Sequence, residues 1–244
     1  MNTAIRAVSH EPWWDDSLAE CPEWCPKNGD LLVVAAHPDD EVRCAGGLIH
    51  AWVAGGGRVR VLSVSDGEPP DPRCCALASA RREELNEALR KLCPTHVAVT
   101  RLGLPLGKIS QHGNRVRNAL LSLASGEVTL VAPNEHAGHA DREAVGRVCV
   151  EFARARGFAL VRYGIGRYGI GPAGFVAQDS APRDGAARAG EARWVKFVLT
   201  DEARRAKARA VQCFRARSES RRGRSVPSPR AAQAPERAYE AFLV

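Results

Sequence analysis

Short apolar runs alternate with longer stretches of helical periodicity, and this alternation limits the possible folds more than any other feature. "LLVVAA" at 31–36 is a continuous apolar run, as expected of a strand buried on both faces of a parallel sheet. "CAGGLIHAWVAGG" at 44–56 reads as a helix stopped by glycine. The order then repeats. "RVRVLSVS" (58–65) is a strand, and "LASARREELNEALRKL" (77–92) is a helix with Leu85, Leu89 and Leu92 on one stripe. Strands at 96–102, 128–133 and 158–165 alternate with helices at 114–124 and 142–157. This order predicts an α/β, Rossmann-like fold, a mostly parallel β-sheet flanked by helices with right-handed crossovers. Sites in such sheets form beyond the carboxyl ends of strands, where strand order reverses. The loops after the first and fourth strands are therefore the expected seats of chemistry.

The rest of the chain reads less regularly. Residues 1–29 are expected to be an N-terminal extension that Trp13, Trp14 and Trp24 pack onto a domain at 30–217. A late strand at 193–200 precedes a helix at 201–217. Residues 218–244 read as a basic, partly disordered tail, with "PERAYEAFLV" docking a last amphipathic turn. The net charge of +7 comes largely from arginines after residue 150, but no stacking aromatics interleave with them, so nucleic acid is not the expected partner. No apolar run approaches the ~20 residues of a membrane span. No basic segment followed by an apolar one opens the chain, so the cytoplasm is the expected location. The eight cysteines match neither a zinc finger nor a disulfide framework and read as reduced, packed thiols. "RYGIGRYGIG" at 162–171 is a tandem copy, read either as a substrate-facing loop exposing Tyr163 and Tyr168 or as a neutral duplication.

Two loops carry clustered functional groups. "AAHPDDE" (35–41) follows the first strand and holds His37, Asp39, Asp40 and Glu41. Pro38 stiffens the turn and keeps His37 extended. Successive residues of a tight turn point apart, so His37 and Asp40 can clasp one ion while Asp39 faces an ion-bound water. "PNEHAGHADRE" (133–143) follows the fourth strand and holds His136, His139, Asp141 and Glu143. Histidine is the commonest metal ligand and the usual proton-transfer group near neutral pH.

Followed by a Gly-Gly helix start, "AAHPDDE" resembles the first motif of the PIG-L/LmbE-like superfamily of zinc-dependent de-N-acetylases. "VRVLSVSDGE" (59–68), "RREEL" (81–85), "RLGLPLG" (101–107) and "GHADREAVGR" (138–147) occur in the family's order, and the resemblance covers most of 30–217. It implies a single catalytic metal, zinc or another divalent ion, and removal of an N-acetyl group from a small acetamido sugar or glycoconjugate, typically an N-acetylglucosaminyl conjugate. By motif position it implies His37 and Asp40 as metal ligands and Asp39 as general base. His139 would stabilise the oxyanion or act as acid. Asp141 would orient the His139 ring, cap the helix that follows, or do both. Asp66 and Arg81 are candidate substrate contacts. Asp66 also reads as an Asp-Gly turn, and Arg81 as half of a surface ion pair with Glu84.

In the family the second motif ends in a histidine that is the third ligand, and here that position is Arg142. Arginine has no lone pair to offer and stays protonated. Three readings remain open. A register through "HAGH" makes His136 the polar group and His139 the ligand. Alternatively His136, or a water, completes a shell with His37 and Asp40. In the third reading the metal is weak or absent, and the chain is a repurposed or non-catalytic binding protein on the same fold. Catalytic zinc normally takes three protein ligands and a water, whose pKa it lowers towards ~7.

Overall fold

The computed structural model describes residues 20–26, 29–67, 75–93, 95, 97–166, 169–170, 192–214 and 238–244. β1 (Asp30–Ala35), β2 (Val59–Ser63), β3 (Ala98–Arg101), β4 (Val128–Pro133) and β5 (Ala159–Tyr163) are all parallel, each paired in the order β3-β2-β1-β4-β5. Helices α1 (Asp40–Ala54), α2 (Cys75–Leu92), α3 (Gly113–Leu123) and α4 (Ala140–Arg156) fill the crossovers, with a 3-10 turn at Ile109–His112 before α3. Strand order reverses between β1 and β4. The loops that follow these two strands therefore open side by side, as the sequence pattern requires.

The continuous apolar run of β1 follows from its central place. Leu31 and Val33 face one core with α1 and α2, whereas Leu32 and Val34 face the other with α3 and α4. All four are fully buried, as the two-residue period of a strand covered on both faces dictates.

The C-terminal part departs from expectation. After β8 (Trp194–Val198) and α5 (Asp201–Val211), Tyr239–Leu243 is a strand, β9, rather than a docked turn. It lies between β5 and β8 and is antiparallel to both. The expected tail at 218–244 is thus corrected, because its last residues belong to the central sheet. Tyr, Phe and Leu suit a strand, and β9 is covered on both faces, with Glu240 and Phe242 buried on one and Ala241 and Leu243 on the other. In the N-terminal extension, Trp24 packs edge-on against Phe197 and Phe242, and the Glu23 backbone pairs in parallel with Lys196 of β8. Trp13, Trp14 and most of the basic tail lie outside the described residues.

α1 begins at Asp40, earlier than its apolar pattern implied, because Asp40 and Glu41 form its first turn. It kinks at Ala45. Just past the kink, Glu240 of β9 accepts two main-chain amides of α1, Gly47 N–H at 2.8 Å and Leu48 N–H at 2.9 Å. Lys207 of α5 binds the same carboxylate at 2.5 Å, with both side chains buried. A Cβ at Gly47 would lie 2.4 Å from the Leu199 side chain, so the glycine lets Leu199 pack directly on α1.

Of the duplicated segment, Ile165–Gly166 (β6) and Gly169–Ile170 (β7) pair as a small antiparallel ladder. Tyr163 is a core residue that donates to Val34 O at 2.9 Å, not a substrate-facing one. Tyr168 lies outside the described residues. Cys44, Cys93, Cys149 and Cys213 are buried, reduced thiols, and burial pushes Cys93 up to about 11 and Cys149 up to about 12. Among the described residues no helix is long and apolar enough to cross a membrane.

Candidate active site

The turn after β1 is held by an unusual backbone. Asp39 has a left-handed φ of 88°, the one such non-glycine residue among those described. Aspartate tolerates this region better than most residues, and strain of this kind collects at functional positions. Asp39 O accepts Arg43 N–H at 2.9 Å and so opens α1, and its side chain accepts from Arg43 Nε at 2.7 Å. The conformation sends Asp39 towards a cavity and Asp40 into the protein interior.

The turn after β4 presents the second group. His139 caps α4, its Nδ1 accepting Asp141 N–H at 3.3 Å. The neutral ring therefore carries its proton on Nε2. Asp141 Oδ2 accepts Gly107 N–H at 2.7 Å and lies 3.4 Å from His37 Nε2, and its Oδ1 accepts Ile109 N–H at 3.3 Å. The His37 and His139 rings meet edge-on, with centroids 4.5 Å apart. α4 can come this close because position 146 is glycine: a Cβ there would lie 2.6 Å from Pro133 O.

Electrostatics separate these groups. Burial would raise the Asp141 carboxyl, but the hydrogen bonds from His37 and Gly107 hold it below its ordinary value. Burial, with His37 and Arg142 nearby, lowers His139 and favours its neutral form. Glu41 is fully buried with no partner for either oxygen among the described residues, and burial pushes it up to about 8. Burial would also raise Asp40, but the charge and hydrogen bonds of Arg142 keep it ionised.

A cavity of about 340 Å³ opens between the two turns. It is lined by His37, Asp39, His139, Asp141 and Arg142 from the two turns, by Arg81 and Glu84 of α2, and by Gly67 beyond the end of β2. Leu106, Gly107 and Phe214 complete the wall. Arg81 lines the cavity and donates to the Gly67 carbonyl. Asp66 does not reach it, and its expected role as a substrate contact is corrected. It is buried, clamped by Arg82 Nε at 2.7 Å and Arg101 Nη1 at 2.9 Å, and serves to anchor β2, α2 and β3. Phe214, just after α5, carried no sequence signal. Leu106 and Gly107 lie in "RLGLPLG", but nothing in that segment marked them as cavity walls.

The donors expected to hold a divalent metal are not assembled together. His136 is exposed and outside the cavity lining, with its own amide turned to Asn134 Oδ1 at 2.9 Å. Both oxygens of Asp40 are engaged by Arg142, Oδ2 with Nε at 3.0 Å and Oδ1 with Nη2 at 2.7 Å. The set His37, Asp40 and His136 therefore does not fit the metal that the resemblance implies. Among the described residues a different group comes together: donor atoms of His37, His139 and Asp141 all lie within 4.8 Å of one another.

Imidazoles and carboxylates from two strand-end turns, walling one cavity at the reversal of a parallel sheet, define an α/β protein with an enzyme-type pocket. Residues 32–153, half of the 244-residue chain, match the PIG-L family, described as GlcNAc-PI de-N-acetylase. The chain belongs to this family of amide-hydrolysing deacetylases. Its structure is similar to the A40926 pseudoaglycone deacetylase Dbv21, with a TM-score of 0.64 and 17% identity over 89% of this chain and 97% of that one. It is also similar to the zinc-inhibited form of teicoplanin deacetylase Orf2, with a TM-score of 0.61 and 16% identity over 88% and 97% of the two chains. A third similar structure is GalB, the 4-carboxy-2-hydroxymuconate hydratase from Pseudomonas putida KT2440, with a TM-score of 0.51 and 18% identity over 76% and 78%. At these identities the likeness is one of fold, and a fold shared by deacetylases and a hydratase does not choose the reaction. No curated protein matches the sequence.

Proposed function

We propose that the chain hydrolyses the N-acetyl group of a small acetamido-sugar conjugate of the N-acetylglucosaminyl type. One observation carries this reading: His37 and Asp39 from the β1 turn and His139 and Asp141 from the start of α4 wall the same cavity. The cavity's volume suits a small polar ligand. In this reading Asp39 is the general base. Its carboxylate takes a proton from water as the water oxygen bonds to the amide carbon. The carbonyl electron pair moves onto oxygen, where the Nε2–H of His139 donates to it. The C–N bond then breaks, Asp39 returns the proton to the amine, and acetate and a free amino sugar leave. Asp141 positions His37 at 3.4 Å. Arg81, which lines the same cavity, is the proposed contact for the rest of the conjugate.

The zinc-activated water that the resemblance suggests is not carried into this scheme, because the implied donors do not fit a metal. A catalytically silent binding protein is the second reading, favoured by the same Arg142–Asp40 pairing. The experiment is incubation of the full chain with a panel of N-acetylglucosaminyl conjugates, reading acetate and free amine together. Equal release of both products is expected, with Asp39→Asn about 10²–10⁴-fold slower. Conjugates that bind but yield neither product would establish the second reading and overturn the first.

A further inference from the structure

We propose that the guanidinium of Arg142 is the built-in cation of this centre, standing in the place of a divalent metal, so that the site works with none. Asp40 is fully buried, and Arg142 grips it through two nitrogens, Nε at 3.0 Å and Nη2 at 2.7 Å. His37 Nδ1 lies 3.7 Å from Asp40 Oδ2. Two donors on one tetrahedral zinc, with bonds of about 2.1 Å, sit roughly 3.4 Å apart. His37 and Asp40 are thus close to the spacing of a shared ion, yet the positive charge beside them is the arginine's. Arg142 comes from the first turn of α4, next to Asp141, and also lines the cavity.

The arginine and a metal exclude each other here. Guanidinium does not deprotonate, so an ion on Asp40 would face a fixed positive charge at close range. An ion that drew Asp40 away would leave a buried arginine without its counter-ion. The group of His37, His139 and Asp141 remains the competing place for an ion. Two oxygens of Asp141 already serve main-chain amides of Gly107 and Ile109, and the Arg142 guanidinium lines the same cavity.

The catalytic consequence rests on the proposed hydrolysis; the replacement of the metal does not. A guanidinium polarises the amide carbonyl but cannot acidify a water, which leaves the whole task of deprotonation to Asp39. As water adds to the carbonyl carbon and its proton passes to Asp39, the developing oxyanion faces Arg142 as well as His139.

The test reads metal, not turnover. The full chain is purified without chelator from zinc-supplemented culture and its zinc content measured, beside Arg142→His, Arg142→Met and His139→Ala. Wild type is expected to carry far less than stoichiometric zinc and to show no thermal shift with zinc. Arg142→His is expected to take up stoichiometric zinc, to bind it at least tenfold more tightly than wild type, and to regain on zinc addition the melting temperature it loses without it. Arg142→Met shares the lost ion pair and is expected to gain nothing from zinc, which separates metal binding from simple misfolding. Stoichiometric zinc in wild type that His139→Ala removes would overturn the proposal, as would an Arg142→His protein no better at holding zinc than wild type. Neither result depends on whether the acetamido-sugar reading holds, since no substrate is present.

Discussion

Glu240→Gln should be among the most destabilising conservative changes in this protein, although it lies far from the cavity in sequence. The Glu240 carboxylate closes the α1 kink through Gly47 and Leu48 N–H and neutralises Lys207, with both side chains almost wholly buried. An amide keeps the shape but leaves Lys207 charged and unpaired, and it has one carbonyl oxygen for three donors. Removing one partner of a buried ion pair typically costs about 3–5 kcal/mol. For a domain of this size that lowers the melting temperature by roughly 6–20 °C. Urea unfolding followed by far-UV circular dichroism should show an earlier midpoint with an unchanged slope. Adding Lys207→Met should recover a large part of the loss, because it removes the stranded charge. A loss below about 1 kcal/mol, the worth of one ordinary hydrogen bond, would refute the reasoning. So would a double variant no more stable than Glu240→Gln alone.

Three further outcomes follow from the geometry. The Glu41 carboxyl is raised from 4.5 to about 8, so the folded state holds a proton that the unfolded chain releases. Its stabilising contribution is complete below pH 4.5 and is lost as pH rises towards 8; Glu41→Gln should flatten the stability–pH profile over that interval, and an unchanged slope would contradict this. Gly146→Ala places a Cβ 2.6 Å from Pro133 O and 2.7 Å from Glu135 N. Alanine's better helix propensity is worth about 1 kcal/mol, so a net loss of about 1–3 kcal/mol in urea, with weakened ligand binding, would report the pressure on α4; a gain in stability would count against it. Tyr163→Phe should cost about 1–2 kcal/mol by stranding the Val34 carbonyl while leaving hydrolysis unchanged, and a specific rise in KM would return Tyr163 to the substrate.

The parallel half of the fold was legible because its central strands β1 and β4 are buried on both faces and read as continuous apolar runs between stretches of helical periodicity. β9 was not. "YEAFL" is short, carries a glutamate, and becomes a strand only because β5 and β8 flank it and because Glu240 finds Lys207 and the α1 kink. In the cavity, His37, Asp39, His139 and Asp141 were readable from two motifs that a parallel sheet must bring together. The fate of Asp40 was not readable from spacing. An arginine a hundred residues away decides it, and local sequence says only that Arg142 cannot be a ligand. His136 failed for a similar reason: proximity to His139 along the chain did not translate into a shared direction. Asp66 stood at the right edge of the sheet, but Arg82 and Arg101 had already engaged it.

The position of β9 also imposes an order on folding during synthesis. β1 to β5 can pair before the C-terminal strands are made, since every parallel partner lies within these first five strands. β8 cannot join them directly, because the slot beside β5 belongs to a strand translated later. Until Tyr239–Leu243 emerges, the rim of β5 stays open, the α1 kink lacks its glutamate, and Lys207 lacks its counter-ion. An exposed strand rim invites pairing with other chains. Slowing translation after α5 should therefore lengthen the nascent chain's most aggregation-prone interval, and placing β9 between β5 and β8 in a permuted gene should shorten it.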